Sequence, residues 1–251
     1  MEHPVAHDEE VRGYGAVRRA DPLILGRIAR AVGGAASVVN IGAGTGSYEP
    51  PNRRVVAVEP SDAMIAQRRS DAAPAVKGVA EELPFKDGGY AAAMAILTIQ
   101  DWADPIAGLR EMRRVARRRS VVLTLDPTWA GAFWAYEYFP EAERLDRERF
   151  PALETVADAL GGTSRIETVP IAHNCRDAFL GAFWRRPSAL LDARTRRSIS
   201  TLAAVGDDDL LDGLHRLSQD VRTGQWEHAN GWLLDLPELD LGYRLVVAEY
   251  E

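Results

Sequence analysis

The sequence contains little cysteine, no excess of positive charge and no long apolar run. Cys175 is the one cysteine among 251 residues, so an internal disulfide is excluded and a reducing compartment is expected. No Cys/His array has the spacing of a zinc site, and we expect no metal centre. The longest apolar run, 91–99, is interrupted by Thr98 and is far shorter than the ~20 residues of a membrane helix.

The beginning of the sequence also lacks a targeting signal. Residues 1–10 carry charge and contain no apolar stretch of the signal-peptide type. We therefore expect a soluble, cytoplasmic protein that does not bind a membrane.

The charge balance argues against a polyanionic partner. Lys and Arg total 30 against 37 Asp and Glu, a formal charge of −7, which gives no general attraction for nucleic acid. The arginine-rich run 110–119 is interleaved with apolar residues and lacks aromatic residues that could stack on bases. It predicts a solvated helix face. We expect the protein to bind a small molecule and not nucleic acid. The sequence leaves open whether it forms a homodimer.

The apolar patterning predicts an α/β fold. Asp21 can cap a helix that begins at Pro22 and ends at Gly33. The runs that follow are continuously rather than alternately apolar, as in strands of a parallel sheet buried on both faces. An amphipathic segment over 105–116 precedes the fifth run, and such alternation is typical of a doubly wound sheet. These strands are predicted at 37–41, 55–58, 75–79, 90–96 and 121–125.

The second half of the chain has a different character. Residues 129–139 are rich in aromatic side chains, half of them expected in the core and half around a pocket. A helix is predicted over 152–160, and 175–230 is expected to be largely helical. Further strands are predicted at 165–171 and 243–250.

The most informative segment is a glycine-rich loop that follows the first strand. Gly42, Gly44 and Gly46 let the backbone turn sharply and let a ligand approach closely. Glu59 ends the next strand, where a carboxylate can accept both hydroxyls of a ribose. Ser47 replaces a glycine of the dinucleotide fingerprint, and the prolines at 50–51 leave the first crossover helix very short or absent. The segment therefore indicates an adenosine-containing cofactor without a pyrophosphate.

Segments 40–46, 58–64, 80–85 and 101–116 together resemble the class I S-adenosylmethionine-dependent methyltransferases, in particular the small-molecule branch related to the ubiquinone and menaquinone methylases. The resemblance implies a Rossmann-like, seven-stranded, mostly parallel sheet with an antiparallel last strand and helical cap insertions. It implies S-adenosylmethionine as cofactor and a small, partly apolar acceptor that is methylated at oxygen, carbon or nitrogen. The units expected are an N-terminal lid and helix, a cofactor core, an acceptor-pocket region and a final strand, at 1–34, 35–126, 127–240 and 241–251.

The resemblance also implies the cofactor-binding residues. Tyr14 would lie over the methyl donor, and Arg19 would meet its carboxylate. The family often has Asp at the positions of Asn40, Val79 and Ala91. A degenerate methyltransferase-like scaffold that binds without turnover therefore stays an alternative. An NAD-dependent oxidoreductase is a second, less favoured alternative. The implied set is Tyr14, Arg19, Asn40, Gly42, Ala43, Gly44, Gly46, Glu59, Pro60, Ala80, Glu81 and Ile96.

Methyl transfer from a sulfonium needs alignment and, for a hydroxyl or carbon acceptor, a base. His173 is the first candidate base, because it follows the strand predicted at 165–171 and would lie near the other strand ends. Asp101, after the fourth strand, is the second, and Tyr14 is counted with them. The alternatives are a loop-capping role for His173 and a structural role for Asp101.

Overall fold

The structure, a computed structural model, describes residues 18–129 and 131–251. Its strands form one seven-stranded sheet and one two-stranded sheet. The strands are β1 (Ser37–Ile41), β2 (Arg54–Glu59), β3 (Ala75–Lys77), β4 (Tyr90–Ile96), β5 (Ala116–Leu125), β6 (Thr163–Thr168), β7 (Ile171–Ala172), β8 (Glu238–Leu239) and β9 (Tyr243–Glu249).

The large sheet has the order β3-β2-β1-β4-β5-β9-β6. Strands β1 to β5 pair in parallel, and β9 lies antiparallel between β5 and β6. The predicted mostly parallel sheet with an antiparallel last strand is thereby confirmed. Because β9 is antiparallel to both of its neighbours, β6 runs in the direction of β5. Six strands therefore bring their carboxyl ends to one edge of the sheet, which we call the carboxyl edge.

Helices cover both faces of this sheet. Single 3-10 turns lie at Ile99–Asp101, Leu180–Phe183, Pro187–Leu191 and Gly231–Asp235. The helices are α1 (Pro22–Val32), α2 (Asp62–Ala66), α3 (Pro105–Val115), α4 (Trp134–Tyr138), α5 (Pro140–Arg149), α6 (Leu153–Leu160), α7 (Ala193–Arg197), α8 (Ser200–Ala203), α9 (Asp207–Thr223) and α10 (Gln225–Asn230). In the part of the chain that the structure describes, none of them is long and apolar enough to cross a membrane.

Helix α1 begins and ends as its sequence predicts. The Asp21 carboxylate accepts the backbone N–H groups of Leu23 and Ile24 at 2.9 and 3.2 Å, which satisfies two donors that lack helical partners. Gly33 ends the helix at φ +61°, a backbone conformation that glycine adopts without a steric penalty.

The strands of the central sheet contribute to two hydrophobic cores. Alternate residues of one strand point to opposite faces, so Val38 packs with α1 and Val39 packs with α3 and α6. The first core continues into the helical second half of the chain, around Trp184 and Phe139. The cap region and the first face of the sheet therefore share one apolar interior.

The connection from β1 to β2 contains no helix, in line with the prolines in its sequence. A buried ion pair lies in this region: Arg68, which follows α2, binds Glu49, and their side chains are only 6% and 9% exposed. Arg68 also donates to the carbonyls of Gly44 and Ala73, both at 2.9 Å. Glu49 in turn accepts the N–H of Ala73 at 2.9 Å. These contacts fix the turn segment that joins β1 to β2.

Three sequence predictions need correction. The strand predicted at 165–171 is two strands, β6 and β7, because Pro170 between them lacks an N–H and cannot continue a ladder. Strand β5 begins at Ala116 rather than 121, so the last arginines of the run 110–119 lie on a strand and not on a helix. The region 175–230 is divided among short α-helices and 3-10 turns, with α9 as its one long helix.

Replacing Arg68 by methionine should lower the free energy of unfolding by about 3 kcal/mol, because it leaves the Glu49 carboxylate buried without a counterion. Chemical denaturation measures this difference. Arg69→Met is the matched control, since Arg69 is 80% exposed and paired only with Asp71 at the surface. Equal stabilities of the two variants would contradict a role for the buried pair.

Candidate functional site

The glycine-rich loop leaves β1 at the carboxyl edge. Gly42, Gly44 and Gly46 have φ values of +63°, +51° and +87°, a region that side chains with a Cβ rarely adopt. A Cβ on Gly42 would lie 2.1 Å from Thr98 Oγ1, whereas a Cβ on Gly44 would have no atom within 4 Å. Gly42 therefore permits close approach of the segment after β4, and Gly44 faces open space.

Glu59 lies beside this loop at the end of β2. Its side chain is buried, and its carboxylate accepts the N–H of Gly44 at 2.7 Å and that of Ser61 at 3.1 Å. Burial raises the pKa of Glu59, while these two N–H groups and the nearby Arg68 guanidinium oppose the rise. A carboxylate has about four acceptor positions, so each oxygen keeps capacity for a hydroxyl group of a ligand.

The other predicted cofactor residues in the described chain, apart from Arg19, follow the strands to the same edge. Asn40 lies buried in β1, and Ala43 donates its N–H to the Val58 carbonyl at 3.1 Å. Ala80 is buried after β3, and Glu81 accepts the N–H of Asp104 at 3.0 Å.

Pro60 and Ile96 are placed directly after β2 and at the end of β4. Arg19 is exposed in the segment before α1. Tyr14 lies outside the described residues.

A buried polar cluster ties the segment before α1 to the second half of the chain. The fully buried Asp177 carboxylate binds Arg18 through contacts of 2.7 and 3.1 Å and accepts the Tyr48 hydroxyl at 3.0 Å. Burial and the neighbouring Asp177 charge raise the pKa of Tyr48 well above its usual value. No local pattern in the sequence points to this cluster, because Asp177 lies 159 positions from Arg18 and 129 from Tyr48.

A cavity lies at the carboxyl edge, beyond the ends of β4, β5 and β9; we call it the edge cavity. Its wall combines apolar side chains with polar groups that come from four separate segments. The lining residues are Arg18, Leu97, Gln100, Leu125, Asp146, Phe150, Phe179, Leu180, Ile199, Ser200, Thr201 and Tyr243. None of them belongs to the set of site residues predicted from the sequence. Clefts of this composition, apolar with a few fixed polar groups, are typical of small-molecule sites.

The most deeply buried charge in the edge cavity is Asp146 of α5. Its side chain accepts the Thr201 hydroxyl at 2.5 Å and the Tyr136 hydroxyl at 2.8 Å. Burial raises its pKa, although both hydroxyl groups and Arg149 stabilise the ionised form. Asp146 and Leu125 also line a second, adjacent cavity with Trp129 and Tyr136. Asp146 therefore stands between two concave regions.

Asp101, the second predicted base, lies next to Gln100 at the edge cavity. It pairs with Arg149 at 2.6 Å and accepts the Gln100 amide N–H at 2.9 Å. Water reaches 42% of its side chain, but protein surrounds the carboxylate on most sides. This environment raises the pKa of Asp101 to about 6, despite the opposing charges of Arg149 and Arg18.

His173, the first predicted base, has a different setting. It follows β7 and is exposed, with Nδ1 3.1 Å from the Pro237 carbonyl. Its backbone N–H also donates to that carbonyl, at 2.9 Å. Its role stays a prediction, and the residues that line the edge cavity do not include it.

The aromatic segment 129–139 divides between core and cavity. Phe133, Trp134, Tyr138 and Phe139 are buried in the first core, whereas Trp129 and Tyr136 line the second cavity. Among residues 18–129 and 131–251, no group of three or more His, Cys, Asp or Glu side chains is arranged to hold a metal ion.

Comparison with known proteins agrees with this geometry. The family profile described as "Methyltransferase domain" matches residues 39–124. A solved structure from Anabaena variabilis, assigned as a methyltransferase of an antibiotic biosynthesis pathway, is 29% identical. The match covers 92% of this chain and 98% of that one, with a TM-score of 0.86.

Two further matches are more limited. A SAM-dependent methyltransferase of Thermotoga maritima shares the fold at 17% identity over 97% of both chains, with a TM-score of 0.54. An uncharacterized protein of transposon Tn4556 from Streptomyces fradiae is 34% identical over 84 residues, which are 32% of this chain and 24% of that protein. That match thus spans about a quarter of the relative.

Alanine at Gly42 and alanine at Gly44 should affect stability differently. Gly44→Ala adds a methyl group in open space and should cost about 1 kcal/mol for its positive φ. Gly42→Ala adds the same backbone strain and also collides with Thr98, so it should lower the midpoint of thermal unfolding much further. Equal midpoints would show that the close approach of Thr98 does not constrain the loop.

Proposed function

Because the chain belongs to the class I S-adenosylmethionine-dependent methyltransferases, we propose that it methylates a small, partly apolar acceptor held in the edge cavity. The observation that carries the proposal is the position of this cavity. It lies at the same sheet edge as the glycine-rich loop and Glu59, and it is bounded by the segment after β4 that contains Gln100. A donor on the loop and an acceptor in the cavity would therefore be neighbours.

The residues of the carboxyl edge fit the donor. Glu59 would accept the ribose hydroxyls with the lone pairs that Gly44 and Ser61 leave free. The open space beside Gly44 would admit the part of the donor next to the ribose. Ala80 and Glu81 would lie on the adenine side, as the resemblance implies. The donor supplies an activated methyl group on a sulfonium, which is displaced by the acceptor's lone pair.

Asp101 would act as the base for an acceptor that must lose a proton. It adjoins the edge cavity and has a pKa raised to about 6, close to working pH, which is favourable for general-base catalysis. His173 is the competing candidate from the sequence. Asp101 adjoins Gln100, which lines the edge cavity, whereas His173 and its chain neighbours do not line it; this position supports Asp101 over His173.

Glu59→Gln should weaken binding of S-adenosylmethionine by about tenfold or more, since hydrogen bonds to a charged acceptor contribute roughly 1.5–3 kcal/mol. Gly44→Ala should weaken it as well, because the added methyl group occupies the open space. Isothermal titration measures both affinities. Glu154→Gln, an exposed carboxylate on α6, is the control and should bind like the wild type. An unchanged affinity in Glu59→Gln would refute the site.

The rate of methyl transfer should rise with pH through about 6, as the Asp101 carboxyl loses its proton and becomes a competent base. The charged and polar groups that face it are Arg149, Arg18, Gln100 and Asp146. Asp101→Asn should remove the inflection and lower kcat by roughly 100-fold. The readout is the pH profile of S-adenosylhomocysteine release.

A histidine titrates in the same pH range, so the inflection alone does not identify the base. His173→Ala provides the distinction. If His173 is the base, that variant loses turnover with little change in cofactor affinity, and Asp101→Asn keeps the inflection.

A further inference from the structure

Asp146 is a buried carboxylate without a cationic partner. Its residue is only 6% exposed, and the described residues include no lysine, arginine or histidine within ion-pair distance of it. The Thr201 and Tyr136 hydroxyls occupy one position on each oxygen, so each oxygen keeps a further acceptor position. Burying an ionised carboxylate is unfavourable unless a counterion compensates for its lost hydration. The ionised Asp146 carboxylate therefore lacks a compensating positive charge among the described residues.

The neighbouring guanidinium groups are bound to other carboxylates. Arg149 pairs with Asp101 at 2.6 Å, and Arg18 pairs with Asp177 at 2.7 Å. Asp101, Asp146 and Asp177 together with Arg149 and Arg18 are three carboxylates and two guanidinium groups. When all are ionised, one negative charge is in excess, and Asp146 is the carboxylate without an ion pair.

Gln100 provides a second, independent acceptor at the cavity. Its amide nitrogen donates to the Leu97 carbonyl at 3.1 Å and to Asp101 at 2.9 Å. Because both neighbours are acceptors, the orientation of the amide is fixed. Its Oε1 is buried and has no hydrogen-bond partner among residues 18–129 and 131–251. An orphaned buried acceptor is costly, and a ligand with N–H donors would satisfy it.

The remaining wall suits an apolar body that carries a positive charge. Leu125 and Ile199 supply aliphatic surface, and Phe179 packs edge-on against Tyr243 with ring centroids 4.8 Å apart. Phe150 adds a further ring. Aromatic faces attract cations as well as apolar groups.

We propose that the acceptor is a primary or secondary amine on an apolar, flat body, held as its ammonium ion by Asp146 and Gln100 Oε1. The inference rests on the proposed function, since it names the substrate class of the same cavity. A hydroxyl acceptor offers one donor and no charge, so it would leave Asp146 without a counterion. An ammonium ion offers two or three N–H donors and the missing charge.

The ammonium nitrogen gives one proton to the Asp101 carboxylate, and its freed lone pair forms a bond to the methyl carbon of the donor. The carbon–sulfur bond breaks, and its electron pair stays on sulfur. The positive charge of the sulfonium ends on the methylated nitrogen, which Asp146 can still pair with.

Binding to the S-adenosylhomocysteine complex tests the inference with benzylamine and its neutral isostere, benzyl alcohol. Isothermal titration of the wild type should give benzylamine at least a tenfold lower Kd, and Asp146→Asn should abolish the preference. Glu148→Gln is the matched control, because this exposed carboxylate lies on the same helix and pairs with Arg144. It should keep the preference. Equal binding of the two probes by the wild type, or no binding of benzylamine, would overturn the inference without any variant.

Two further binding measurements distinguish the amine inference from failure of the proposed function and from pairing of Asp146 with the donor. If S-adenosylhomocysteine itself fails to bind the wild type, the proposed function fails; if it binds and the amine is not preferred, only the amine inference fails. The donor's sulfonium is the other cation that Asp146 could pair with. In that case Asp146→Asn would weaken S-adenosylmethionine relative to S-adenosylhomocysteine, whereas we expect their ratio to be unchanged.

Discussion

The buried ion pair between Arg68 and Glu49 fixes the connection from β1 to β2, which takes the place of a first crossover helix. Arg68 reaches the carbonyl of Gly44, and the N–H of the same residue binds Glu59. The loop backbone and the Glu59 carboxylate are therefore fixed by one connected set of hydrogen bonds. This set replaces the helix N-terminus that a pyrophosphate would need, which is consistent with a donor that has no phosphate.

A second polar cluster joins the two halves of the molecule. Asp177 binds both Arg18, in the segment before α1, and Tyr48, in the turn after the glycine-rich loop. The segment that carries Asp177 leads into Phe179, which lines the edge cavity. The glycine-rich loop and the edge cavity are thus attached to each other through buried groups that hydrogen-bond to one another, and rigid attachment of this kind favours correct alignment in a displacement reaction.

Local pattern made the first half of the fold predictable. Strands β1 and β4, the glycine turns and Glu59 depend on residues within a few positions of each other, so composition and spacing indicate them. The predicted start of β5 is five residues too late, because Arg117, Arg118 and Arg119 interrupt its apolar pattern. The pairing of these residues in the sheet comes from the neighbouring strands β4 and β9. Asp146 and Gln100 line the same cavity only after segments far apart in the chain have folded together. No sequence periodicity predicts such an arrangement, so the sequence alone does not indicate the edge cavity.

The antiparallel insertion of β9 between β5 and β6 has a consequence for how the protein is made. Among the described strands, β9 is translated after every other, yet it occupies an interior position and supplies Tyr243 to the edge cavity. During synthesis, β5 and β6 each keep an unpaired edge until β9 has been made, whereas the first four strands can already pair with one another. Long-range pairing of this kind is slow. The nascent chain can thus assemble the strands around the glycine-rich loop before the edge cavity exists, and the proposed acceptor site would form last.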